Sequence, residues 1–475
     1  MQFNSWAYIL FLGALFAVYH FLDNKRQKWL LLAVSYWFYS LWDWRFCLLL
    51  FTWTAVVYIT GRQIAFSESL NVRRRWLIFC VTVGIGVLAV FKYFNFFAQN
   101  LYLLIDAIGF HVDRRMMDVI APVGISFYTF QALTYPIDIY RKQLTPSTNF
   151  LDVAFFVAFF PQLAAGPIER ARNILPQLSA KRSFDLDNFE KGCWLIFFGL
   201  FKKVFVADNL AFLVDHHFEN SANIAFPVAY LSLVAYAFQI YCDFSGYTDM
   251  ARGSAKLLGI QLTNNFDFPY LARNPGDFWK RWHISLSTWL RDYVYIPLGG
   301  SRASAGMTYR NVLLTMGICG LWHGASWNFV LWGGYQGMIL VAHRWMTQRN
   351  KIELNKGLSI GLMFHATLLG WLFFRSTRTE RIDGVPTDRS LEQLMEFFES
   401  VTRGFTPNPE FWSLLQSVLF LVVPLILVES LLLKFQTQYI DEVSPSIAVP
   451  VKVGLLFLLI VYGMQTGSGF IYFKF

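Results

Sequence analysis

Charge is scarce in this chain. Only 15% of its 475 residues are Asp, Glu, Lys or Arg, while 55% are hydrophobic and 19% aromatic. Soluble domains average about 25% charged residues. A string of soluble domains is therefore excluded in favour of one polytopic membrane unit. Cysteine is scarce too. Cys47, Cys80, Cys193, Cys242 and Cys319 form no C-x-x-C pair and lie in or beside apolar runs. They read as small buried hydrophobes, not a disulfide framework or zinc site. G-x-S-x-G, Walker A and H-E-x-x-H sequences are all missing. The chain thus shows no recognisable nucleotide or metal site, and a self-contained serine hydrolase is not expected. No internal repeat is evident, which weighs against an inverted-repeat transporter.

What is present is a series of apolar runs. The first, residues 3–22, has no basic segment before it and no small-residue cleavage site after it. It reads as a transmembrane helix, not a cleaved signal peptide. Further spans are expected at 29–41, 46–60, 76–97 and 119–140. The net charge of +9 comes from basic residues in short connecting segments, where they set topology and meet anionic lipid. Basic loops at 23–28, 61–75 and 141–149 fall on one side, which places the N-terminus outside. At 150–168, Pro161 and Gly166 interrupt the run and predict a broken or re-entrant segment beside a cavity.

Residues 192–213 and 227–242 read as spans, with Lys202 and Lys203 awkward in the first. Those two lysines are expected to snorkel or to mark its cytoplasmic portion. Residues 251–300 are less membrane-like. Asn274-Pro275-Gly276-Asp277 starts a helix, which is expected to run from 275 to about 291. It carries Trp279, His283, Leu286 and Leu290 on one packing stripe. Spans at 358–374, 411–433 and 448–464 flank a polar insert at 375–410. The expected fold is all-α: about eleven transmembrane helices plus re-entrant and amphipathic helices, in one domain over residues 1–475.

The segment 311–343 carries no Asp or Glu, and no Lys or Arg. It either crosses once or enters, breaks at its glycines and continues. His323 sits near its middle between Trp322 and Gly324. An ionisable group at membrane depth marks a functional site by default; the alternative is a histidine hydrogen-bonded between packed helices. Gly320 and Gly324 favour close helix contact, or leave room for substrate beside the imidazole. A neutral histidine can take the proton from an acceptor hydroxyl as that oxygen attacks an acyl carbonyl. Ser326, Asn328 or Tyr335 are candidates to orient it or to donate to the oxyanion, and spacing does not choose among them. Asp243 and Asp249 read first as ion-pair partners for Arg252 or Lys256. The other histidines, His20, His111, His216, His217, His343 and His365, read as structural or interfacial, with His365 lacking polar company.

Several segments together resemble the membrane-bound O-acyltransferase family, in its bacterial, alginate-type branch. They are Phe159-Phe160-Pro161-Gln162 with Gly166-Pro167-Ile168, and Tyr241-Cys242-Asp243-Phe244-Ser245-Gly246-Tyr247-Thr248-Asp249. Asn265-Phe266-Asp267-Phe268-Pro269-Tyr270, Phe278-Trp279-Lys280-Arg281-Trp282-His283 and the run from Arg291 to Gly300 follow. Leu321-Trp322-His323-Gly324-Ala325 and the C-terminal Phe470-Ile471-Tyr472-Phe473 complete the set. The resemblance implies helices around a central funnel or tunnel, a catalytic histidine at His323 and a second hallmark histidine at His283. It implies acyl groups entering from the cytoplasm and leaving outside, in a bacterial inner membrane. It also implies a secreted or membrane-anchored partner with serine-hydrolase-like chemistry, which completes transfer to an exopolysaccharide.

The expected activity is therefore O-acetylation of an alginate-like polymer, with acetyl-CoA as donor and no tightly bound cofactor or metal. Peptidoglycan, teichoic acid or cellulose are alternative acceptors. A non-enzymatic scaffold or export channel is the alternative of another class. Trp279, Trp282, Trp322, Asp243 and Asp249 join the expected substrate path or its support.

Overall fold

The computed structural model describes residues 1–110, 121–163, 166–180, 182–219, 223–302, 304–349, 354–377, 379–382, 385–388, 390–464 and 469–471. His111 and the start of the span expected at 119 lie outside them. Helices dominate. The exception is an antiparallel hairpin in the polar insert, Thr379–Ile382 with Val385–Asp388, in register Thr379 to Asp388 and Ile382 to Val385. The membrane-embedded part is helical, as the all-α expectation has it, and the hairpin is confined to the insert. A short helix, Ser390–Glu399, completes the insert.

Among the described residues, five helices are long and apolar enough to cross a membrane: Arg45–Phe66, Leu70–Ala107, Lys356–Arg375, Pro409–Lys434 and Pro445–Tyr462. Their outward side chains are large and apolar; Ile460 is 71% exposed and Leu427 65%. Water disfavours such surface, and a hydrocarbon layer accepts it. The helix from Leu70 contains Arg73, Arg74 and Arg75 in its first turns. The basic loop expected at 61–75 thus shrinks to residues 67–69, because helical structure continues to Phe66 and resumes at Leu70.

The chain divides into two compact units. The first comprises Met1–Phe197 and Tyr247–Thr263. Its interior holds an aromatic cluster in which Phe3 stacks on Tyr8 and Tyr247 at 4.5 and 4.6 Å. Tyr8 donates to Ser254 at 2.7 Å. The break expected at Pro161 is present. A helix ends at Ala158, and a single turn, Phe160–Leu163, follows. The freed backbone is satisfied inside the unit: Phe160 N donates to Ser35 Oγ, and Gln162 Nε2 to the Phe156 carbonyl. This is what a broken segment in an apolar interior requires.

The second unit comprises Phe198–Gly246 and Asn264–Phe475. The helix that begins in it at Phe226 does not stop at Cys242 as expected. It runs from Phe226 to Leu257, 32 residues, so the polar residues 243–249 lie within it. Gly246 explains part of this, since a Cβ there would meet the Gly199 carbonyl at 2.7 Å. Lys202 and Lys203 do not snorkel. They sit in a π-helical segment, Phe201–Ala207, at 4% and 1% exposure. Lys203 Nζ reaches Asp208 at 2.8 Å and Asp243 at 2.6 Å. Lys202 lies 4.7 Å over the Phe198 ring. Asp243 Oδ2 also accepts from the Ile471 amide at 2.7 Å, which fastens the C-terminal segment.

The histidine and cysteine expectations also shift. His216 and His217 belong to the helix Asp208–Glu219, not to a loop. His365 has polar company in Tyr230, whose hydroxyl lies 2.8 Å from Nε2, and in the Gly361 carbonyl. Cys80, Cys242 and Cys319 are buried, whereas Cys193 is exposed.

Removing one member of a buried ion pair strands the others. Lys203→Met removes the cation that Asp208 and Asp243 share, and is expected to destabilise the protein by about 3–5 kcal/mol. Thermal unfolding of detergent-purified protein checks this; an unchanged midpoint contradicts it.

Candidate active site

The segment 311–343 breaks at its glycines. Ser304 caps the helix Ala305–His323 by accepting from the Met307 amide. The helix ends at His323 because Gly324 is fully extended, at φ −169° and ψ 163°. A second helix, Trp327–Arg349, begins three residues later. The two pack with near backbone contact. A Cβ on Gly320 would overlap the Phe329 carbonyl, and one on Gly333 the Met316 carbonyl. A Cβ on Gly324 would overlap the Phe329 ring. The glycines therefore serve helix contact, and Phe329 fills the space expected beside the imidazole.

His323 is 3% exposed and ringed by aromatics. Centroids lie at 4.9 Å for Trp332, 5.0 Å for Trp322 and 5.3 Å for Phe374, all edge-on. Phe329 lies at 6.4 Å. One helical turn before His323, Cys319 lines an apolar cavity of about 170 Å³ with Trp279, Leu290, Met316 and Leu340, and with Arg291 at its wall. Trp279 also meets Trp332 at 5.9 Å.

His283 arises from a second break. The helix expected over 275–291 is two pieces, Pro275–Arg281 and Ile284–Leu290. Asn274 caps the first by accepting from the Asp277 amide. His283 stands between the pieces at φ 44° and ψ 54°. That left-handed conformation disfavours a residue with a Cβ, and it persists only where the surroundings enforce it. The enforcing element is the strand-like segment before Pro269. Asp267 N donates to the Arg281 carbonyl and Ile284 N to the Asn265 carbonyl, both at 3.0 Å. The two bonds bracket His283. Its ring is fully buried, 4.7 Å from Phe244 and 5.8 Å from Trp322. This segment lies outside the membrane-crossing helices. Burial lowers the His283 pKa to about 3, so the ring is neutral at physiological pH.

Trp322 thus touches both imidazoles. Trp282 packs on Trp371 at 4.7 Å, and Trp371 on Phe374 at 5.7 Å, in the wall behind His323. Other expected residues are engaged elsewhere. Tyr335 donates to the Ala366 carbonyl. Asn328 donates to the Ser390 carbonyl, and Ser326 pairs with the Ser390 hydroxyl, which ties this hairpin to the polar insert. Asp243 belongs to the Lys203 cluster. Asp249 belongs to the first unit and pairs with Arg252 at 3.0 Å. Among the described residues, no group of three or more His, Cys, Asp or Glu gathers to hold a metal ion. Sequence reasoning missed Phe329, Trp332 and Phe374 as the box around His323. Their spacing in apolar helices is indistinguishable from core.

Gly320→Val tests the close contact. Its side chain would meet backbone, not a movable side-chain tip, so the helices must separate. A loss of about 1–3 kcal/mol is expected, read as a lower unfolding midpoint in detergent. Unchanged stability would contradict the packing.

Comparison with known proteins identifies the family of the chain. The sequence pattern of the MBOAT, membrane-bound O-acyltransferase family matches residues 140–356, a stretch that includes His283 and His323. A probable alginate O-acetylase, AlgI, of Pseudomonas aeruginosa is 40% identical over 378 residues, covering 79% of this chain and 72% of the relative. A peptidoglycan O-acetyltransferase of Helicobacter pylori is 33% identical, covering 94% of this chain and 91% of the relative. A teichoic acid D-alanyltransferase of Bacillus subtilis is 26% identical over 69% of this chain. With 40% identity over most of its length and the family's pattern across residues 140–356, the chain belongs to the membrane-bound O-acyltransferase family.

Proposed function

We propose that this protein transfers acetyl groups from a cytoplasmic donor across the bacterial inner membrane for O-acetylation of a secreted, alginate-like polysaccharide. The observation that carries the reading is the buried imidazole of His323 at a helix break, walled by aromatics and sharing Trp322 with a second buried imidazole. The 40% identity to probable alginate O-acetylases supports the acceptor class.

In this reading His323 is the general base. It takes the proton of an acceptor hydroxyl as that oxygen attacks the acetyl carbonyl. The tetrahedral intermediate then collapses, the new ester C–O bond remains, and the thiolate of the donor, acetyl-CoA, leaves and takes up the proton. Exclusion of water by the aromatic box protects the activated acetyl group from hydrolysis. His283 orients the reactants or lines the donor path. Trp279 and the apolar cavity beside Cys319 extend that path toward Arg291. The acceptor hydroxyl belongs to a secreted or membrane-anchored partner with serine-hydrolase-like chemistry, which explains why the chain carries no nucleophile elbow of its own. The topology proposed with it is about eleven spans around a funnel, acting as one acyltransferase unit, with the N-terminus outside.

A second reading takes peptidoglycan as the polymer. The match to the peptidoglycan O-acetyltransferase extends further along both chains than the match to the alginate relatives, although at lower identity. Quantifying O-acetyl groups on both polymers in a deletion strain separates the two.

His323→Gln keeps the bulk of the side chain without a titrating base. Acetylation is expected to fall by about 10²–10⁴-fold at normal protein levels, as the O-acetyl content of the polymer would report. Retained acetylation removes His323 from the chemistry. The low pKa of His283 adds a pH expectation. Its neutral form persists through the physiological range, so it contributes no proton uptake there. His283→Ala is accordingly expected to lower the pH–rate profile without changing its shape. A lost or displaced limb would show that His283 titrates during turnover.

A further inference from the structure

One carbonyl oxygen decides the protonation pattern of His283. Asn265 is fully buried, and its Oδ1 lies 3.1 Å from the Ser285 amide, 2.9 Å from the Ser285 hydroxyl and 3.2 Å from His283 Nδ1. A backbone N–H only donates, so the Asn265 atom facing Ser285 is the oxygen and not the amide nitrogen. An oxygen 3.2 Å from Nδ1 then requires that Nδ1 carry the hydrogen. A neutral imidazole has one N–H, so the lone pair is on Nε2.

The backbone supports the same placement. The Asn265 carbonyl accepts from Ile284 N, the residue immediately after His283, so main chain and side chain of one asparagine hold the histidine from two directions. The left-handed backbone at His283 is the local strain that this double hold maintains.

We infer that Asn265 is the positioning residue of the histidine pair, fixing His283 as its Nδ1–H tautomer so that Nε2 is a hydrogen-bond acceptor for an O–H or N–H of the substrate. This rests on the acyl-transfer reading above. Asn265 touches no reacting atom; it acts through the imidazole, as the orienting carboxylate does in a catalytic triad. His283 thereby accepts hydrogen bonds and is not the donor that stabilises an oxyanion.

The test compares two substitutions at Asn265 in a deletion strain, reading O-acetyl content of the secreted and cell-wall polymers at matched protein levels. Asn265→Asp keeps an oxygen that holds the same tautomer, and is expected to retain acetylation within about threefold of the parent. Asn265→Leu is nearly isosteric, leaves the Nδ1 donor without its acceptor, and is expected to lower acetylation by about tenfold or more. Rescue by Asp but not by Leu is the signature of a positioning role. Full activity in Asn265→Leu would overturn the inference. So would an Asp variant well below the threefold range, a comparison that stands even if the Leu variant fails to accumulate. His323→Gln run in parallel separates the two levels: activity retained there rejects the general-base reading, whereas activity retained only in Asn265→Leu rejects the positioning role alone.

Discussion

Burying an imidazole costs free energy, and this chain buries two of them against a single tryptophan. Much of the local structure follows from where that cost is accepted. His323 ends one helix because Gly324 extends the chain, and glycines at 320 and 333 let the returning helix press its backbone close. His283 occupies a conformation that its Cβ disfavours, because hydrogen bonds from the 265–267 segment leave the chain no other path. In both places a helix is broken so that a polar ring can sit among aromatic ones. A neutral ring tolerates that setting best.

The apolar runs made the helices legible, and the glycines of 311–343 made its break legible. Three features were not. The polar run DFSGYTD reads as the end of the span 227–242, yet the helix continues through it, because Lys203 neutralises Asp243 and Gly246 admits the neighbouring backbone. The break at His283 interrupts a sequence with good helix-start signals and no internal proline. The hydrogen bonds that cause it come from residues 16 to 18 positions earlier, beyond the reach of local pattern. Lys203 reads as a snorkelling side chain, because its carboxylate partner Asp243 is forty residues away in sequence and adjacent only in the fold, and Lys202 reads the same way although it lies over the Phe198 ring.

The candidate site divides in the same way. Residue type singled out His283 and His323, since ionisable groups in apolar surroundings stand out. The residues between and around them did not stand out. Trp332, Phe374 and Phe329 belong to apolar helices where an aromatic is unremarkable. Ser326, Asn328 and Tyr335 were attractive by proximity in sequence, but their hydrogen bonds run to Ser390 and Ala366. An aromatic box around the His323 imidazole, in a chain without a G-x-S-x-G sequence, suits the proposed reaction, in which both acyl donor and acceptor hydroxyl are brought from outside. The names of the relatives join an acetyl or D-alanyl group to alginate, peptidoglycan or teichoic acid.

The most direct measurement of the central claim is chemical rescue at His323. Polymer O-acetyl content would be compared in a His323→Ala strain with and without imidazole in the medium. Near-absence of acetylation without imidazole and partial recovery with it is the expected result, because a diffusible base then occupies the place of the missing ring. Acetylation at the parental level without imidazole would contradict the assignment of His323 as the base.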